Sequence, residues 1–92
     1  MDKDLFTLPN KEIIRVSEIY KIGNMEDRGE NRHNPSLYKW GFIITFNNGE
    51  IKDVEEPYYY ADWGDARMKL ERIRNDLIQA FDNYKKIWIY VL

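Results

Sequence analysis

The chemistry open to this 92-residue chain is bounded first by what it lacks. It has no cysteine, its only imidazole is His33, and its only serines are Ser17 and Ser36. His33 and Ser36 lie close in sequence. However, no glycines flank Ser36 to build the sharp turn that presents a nucleophilic hydroxyl, so His33 reads as a solvated side chain on a polar loop. One histidine and no thiolate exclude the common zinc patterns. Carboxylates are more plentiful: Asp53, Glu55 and Glu56 cluster, with Asp62 and Asp65 nearby, and such oxygen ligands suit Mg²⁺ or Ca²⁺. Their spacing does not match a calcium-binding loop. The glycines at 23, 29, 41, 49 and 64 form neither a dinucleotide fingerprint nor a phosphate loop.

Glu50-Ile51-Lys52 resembles the Glu-x-Lys half of a metal-dependent nuclease site. That site also needs an Asp on the preceding strand, and residues 38–46 contain none. No catalytic residue, metal ligand or cofactor is therefore assigned, and the chain is read as non-enzymatic.

Binding chemistry is better supplied. Seven Tyr, four Phe and three Trp make up 15% of the residues. Tyr58, Tyr59, Tyr60 and Trp63 crowd one junction, more aromatic area than one small core accommodates there. Tyr and Trp anchor protein interfaces because they bury much area for few torsions lost. Asp53, Glu55 and Glu56 border the cluster and would select a basic partner. A second, cationic group lies further on: Arg67, Lys69, Arg72 and Arg74 could meet phosphates while Tyr38, Trp40, Phe42 and Phe46 stack bases. The competing expectation is that those aromatics bury against a helix and the cations form a solvated ion-pair face with Asp65, Glu71 and Asp76.

These side chains must be positioned by a small set of elements. Tyr38, Trp40, Phe42, Ile44 and Phe46 occupy every second position, the period of a strand with one apolar face. Asn48-Gly49 predicts a two-residue hairpin turn, and residues 51–55 return as its partner strand. In that register Phe46 faces Ile51 and Ile43 faces Val54, but Ile44 meets Asp53 and Phe42 meets Glu55. The conflict is relieved if the return strand lies at the sheet edge, or if a bulge shifts it after Ile51.

Upstream, residues 11–22 carry Ile13, Ile14, Val16, Ile19, Tyr20 and Ile22, with alternation failing at Ser17-Glu18. This predicts a strand with a bend there, or two short strands meeting. Residues 23–37 are polar, with two glycines and a proline, and are expected to be a flexible loop.

Beyond Pro57, Asp62 is a good helix cap, with Asp65 three residues on. Trp63, Ala66, Leu70, Ile73, Leu77, Ala80, Phe81 and Tyr84 then recur at helical spacing, predicting a helix over 63–85 with an Asp65–Lys69 pair on its surface. The apolar run 87–92 is expected to form a C-terminal strand.

The expected fold is α+β in a single domain spanning 1–92: a small antiparallel sheet of three to five strands packed against one long helix, closed by the C-terminal strand. A chain of this size buries only about 60–65% of its unfolded surface, so one core is the limit. The formal net charge of −2 is too small to steer the whole molecule to nucleic acid or anionic lipid. The start of the chain has no signal-peptide pattern and no apolar run approaches membrane-span length, so a cytoplasmic protein without a membrane partner is expected. In composition the chain is similar to many small phage and mobile-element proteins, a likeness that identifies no residues.

The functional expectation is a protein-interaction module, an inhibitor or adaptor, using Tyr58, Tyr59, Tyr60, Trp63, Asp53, Glu55 and Glu56. The alternative is single-stranded nucleic-acid binding through Arg67, Lys69, Arg72 and Arg74. Self-association would use the helix 63–85 or the segment 87–92.

Overall fold

The computed structural model describes residues 4–30 and 37–91, with side chains as well as backbone except at 30, 60 and 86–91. The fold is α+β, with one long helix packed on antiparallel sheet. In chain order the elements are β1 (Leu5–Thr7), β2 (Ile13–Arg15), β3 (Ile19–Ile22), β4 (Glu26–Glu30), β5 (Leu37–Phe46), β6 (Ile51–Tyr59) and α1 (Trp63–Val91). β1 and β2 form a separate hairpin, while β3, β4 and β6 all pair antiparallel with β5. β3 takes the C-terminal part of one β5 edge and β4 the N-terminal part, leaving the other edge to β6.

The failed alternation at Ser17-Glu18 marks a 3-10 turn, Val16–Glu18, separating β2 and β3 into different sheets. Two short strands therefore meet there. The hairpin after β5 differs from the expected two-residue turn. Phe46 N–H donates to the Glu50 carbonyl at 2.9 Å, and Gly49 N–H donates to the Phe46 carbonyl at 3.0 Å. The loop is thus Asn47-Asn48-Gly49, and only Gly49 takes a positive φ, +90°. This is the three-residue geometry in which a left-handed glycine ends the turn.

The extra loop residue moves the register by one position. Phe42 now faces Val54, Ile43 faces Asp53 and Ile44 faces Lys52. A one-residue slip exchanges the faces of a strand, which is why the expected clash of Asp53 and Glu55 with the apolar face disappears.

Two further expectations are corrected. Part of the polar segment 23–37 is β4, which pairs Glu26 with Gly41 and Asp27 with Trp40. Its sequence, Glu-Asp-Arg-Gly-Glu, has no apolar side chain to reveal a strand, so pairing to the β5 edge holds it instead. A register shift before Glu30 contains Gly29 at φ +74°, whose N–H is accepted by the Asp27 carboxylate at 2.8 Å. At the other end, the backbone of 87–91 continues α1 where a strand was expected. A six-residue apolar run has no period of its own to distinguish the two states. No proline interrupts the helix from 63 onward, so a helix already nucleated propagates through the run.

The core lies between α1 and the apolar face of β5. Phe42, Ile44, Leu70 and Leu77 are fully enclosed, and Leu8, Ile14, Val16, Ile19 and Val54 complete the buried cluster. Ile73, Ala80, Phe81 and Tyr84 pack on its margin, so the stripe foreseen from the helical spacing is spent on the chain's own sheet except at its first residue, Trp63, which is exposed. The 29 residues of α1 span about 43 Å against about 33 Å for β5, and the molecule measures 51 × 25 × 22 Å. Among the described residues no helix is long and apolar enough to cross a membrane.

Candidate functional site

Period-2 geometry sorts the expected site residues before any side-chain contact is considered. Residues directly opposite in an antiparallel pair share a face. Tyr58, Glu56 and Val54 share the helix-covered face with Tyr38, Trp40 and Phe42, whereas Glu55 and Asp53 share the opposite face with Gly41 and Ile43. The carboxylate cluster of the sequence is therefore divided.

On the helix-free face, Asp53 receives Arg28 Nη1 and Nη2 at 2.8 and 2.9 Å, and Lys39 lies 3.6 Å from Glu55. The doubly bonded carboxylate holds the Arg28 guanidinium above its ordinary proton affinity, against the opposing pull of partial burial. Neither Asp53 nor Glu55 joins the aromatic cluster.

On the helix side, Tyr58 is only 6% exposed and stacks on both Tyr38 (centroids 5.6 Å apart) and Trp40 (5.9 Å). Burial raises its phenol above the usual 10.0, with Asp27 and Tyr38 adding to the shift. Tyr58 is thus a wall rather than a free contact residue. Trp40 donates its indole N–H to the Trp63 carbonyl at 3.3 Å, which ties the first residue of α1 to the sheet, and Arg67 lies 5.4 Å over the same indole. Tyr59 and Trp63, by contrast, are 55% and 48% exposed. The side chain of Tyr60, which opens the 3-10 turn Tyr60–Asp62, is outside the described residues, as are His33 and Ser36.

These elements enclose a groove of about 450 Å³ between the end of β6 and the first turns of α1. Leu37, Pro57, Tyr58, Tyr59 and Ala66 supply apolar and aromatic wall, and Glu56, Asp62, Asp65 and Lys69 supply charge. Lys69 Nζ meets Glu56 Oε1 at 2.9 Å, reaching across to β6 instead of back along the helix to Asp65. The groove therefore carries three carboxylates and one cation. Asp62 and Asp65 were foreseen as helix-start residues and as neighbours of the whole Asp53, Glu55 and Glu56 cluster; of those three only Glu56 lines the groove with them, because of how α1 leaves β6.

The cations expected to meet phosphates are largely engaged. Arg67 Nε donates to Glu71 at 2.9 Å, Lys69 holds Glu56, and Arg74 Nε donates to the Gly23 carbonyl at 2.7 Å. The aromatics proposed to stack bases lie on the helix-covered face, with Phe42 fully buried. Among the described residues no group of three or more His, Asp or Glu side chains is arranged to hold a metal ion. Compared with known protein families, curated proteins and solved structures, the chain matches none.

Proposed function

We propose that the protein is a non-enzymatic interaction module, acting as an inhibitor or adaptor in the cytoplasm, and that the groove between β6 and α1 receives a basic segment of a protein partner. The observation that carries this reading is the composition of the groove: aromatic and aliphatic walls from Tyr58, Tyr59, Pro57, Leu37 and Ala66, with Glu56, Asp62 and Asp65 outnumbering Lys69. Lysine and arginine side chains pair an aliphatic stem with a cationic head, which matches an apolar wall below an acidic rim. Tyr59 in the groove wall and Trp63 at the start of α1 are exposed, and both offer anchors of large area.

The test is zero-length carbodiimide cross-linking, which joins a carboxylate to a neighbouring lysine. Immobilised wild-type protein and a Tyr59→Ala/Glu56→Gln variant are exposed to native lysate and the linked peptides sequenced. The expected result is a partner linked through Asp62 or Asp65 to a lysine and lost with the variant. Equal recovery by both proteins, with the fold of the variant intact by circular dichroism, would sink the reading.

A further inference from the structure

The groove's only cation among the described residues is a largely exposed lysine paired with a largely covered carboxylate. The Glu56 side chain is 18% exposed on the helix-covered face of β6, whereas the Lys69 side chain is 61% exposed on the helix surface. An exposed lysine at the end of a flexible stem contributes little net stability through such a pair. Lys69 also has a second carboxylate within its own reach, because Asp65 stands one helical turn before it, at the spacing where side chains on a helix meet. Two pairings of Lys69 are therefore available, one with Glu56 across the groove and one with Asp65 along the helix.

Resting on the interaction reading above, we propose that Lys69 is a resident competitor for Glu56, and that a lysine- or arginine-bearing segment of the partner enters by taking its place. In the free protein the Lys69 ammonium neutralises Glu56. On binding, the partner's cation pairs with Glu56 and Lys69 swings back to Asp65, so that neither carboxylate is left without a counter-charge. The exchange keeps the covered Glu56 paired throughout and moves only the exposed Lys69, so its cost is small. It favours cationic segments over neutral ones, since a neutral segment that displaced Lys69 would strand Glu56 beneath it.

The experiment measures fluorescence anisotropy of a fluorescein-labelled hexaarginine peptide with wild type and three variants at fixed low ionic strength. Lys69→Gln removes the competitor. Lys21→Gln makes the same change in net charge on β3, away from the groove. Glu56→Gln removes the anchor. The expected order is Lys69→Gln tightest, about fivefold tighter than Lys21→Gln, and Glu56→Gln at least about tenfold weaker than wild type. If wild type does not bind the peptide, or Glu56→Gln binds as well as wild type, the groove reading itself falls. If wild type binds and Glu56→Gln does not, but Lys69→Gln is no tighter than Lys21→Gln, the competitor role alone is overturned, and Lys69 merely supports Glu56.

Discussion

The guanidinium of Arg28 lies across Gly41 and grips both carboxylate oxygens of Asp53, at 2.8 and 2.9 Å. One side chain thus spans β5 and ties β4 to β6, on the face that α1 leaves open. Gly41 permits the crossing: a Cβ there would stand 3.1 Å from Cζ, Nε and Nη2 of Arg28.

Gly41→Ala should therefore destabilise the protein even though alanine suits a strand better than glycine, because Arg28 must shift a few tenths of an ångström and loses its paired geometry. The pair is partly solvent-exposed, so Arg28→Ala alone should cost about 0.5–1 kcal/mol. In the Arg28→Ala background the Gly41→Ala cost should vanish or reverse. Urea denaturation of the two single variants and the double variant measures this coupling, and strict additivity would show that the crossing places no demand on position 41.

Core packing gives a larger effect. Leu70 and Leu77 are fully enclosed between α1 and the sheet, so Leu70→Ala or Leu77→Ala should each cost about 2–5 kcal/mol, through lost transfer energy and the cavity left behind. Met68, on the exposed side of the same helix, should tolerate alanine within about 0.5 kcal/mol. Chemical denaturation midpoints at constant m-value report the difference.

Alkaline stability should depend on Tyr58. Its folded-state pKa is raised above 10.0 mainly by burial, whereas the unfolded phenol titrates near the ordinary value. The unfolded state therefore releases its proton first, so the contribution of Tyr58 is complete below pH 10 and is lost as pH climbs past it. Ultraviolet titration at the tyrosinate band should show a late-titrating component that Tyr58→Phe removes. The same variant should flatten the fall in stability above pH 10.

Gly49 ends the β5–β6 hairpin at φ +90°, with open space where a Cβ would be. Gly49→Ala should therefore cost about 1–2 kcal/mol through backbone conformation alone, without any steric clash. Asn48 does not share the positive φ, so Asn48→Ala should cost less, losing only the 2.9 Å bond from Glu50 N–H to its side-chain oxygen. A thermal melt series of the two variants separates the contributions.

The residues themselves determined the elements whose signal is local. β5 is visible in the alternation from Tyr38 to Phe46, and the core stripe of α1 is visible in Ala66, Leu70, Ile73 and Leu77, because burial on one face imposes the period of the backbone that carries it. The hairpin was visible in Asn48-Gly49, though its length was not, since a glycine that accepts positive φ suits both two- and three-residue turns. The continuation of α1 through 87–91 was hidden because an unbroken apolar run fits a helix and a strand alike.

Only the tertiary structure decided where the charges went. β4 exists because the β5 edge offers backbone partners to a segment with no apolar pattern. Register then sent Asp53 and Glu55 to one face and Glu56 to the other. Lys69 reached Glu56, thirteen residues away, rather than its helical neighbour Asp65. Such pairings depend on how two elements far apart in sequence are brought together, and electrostatic partners carry no period along the chain. The aromatic cluster was therefore legible as a residue list. The groove it lines, and the division of its carboxylates, arose from the crossing of β6 and α1.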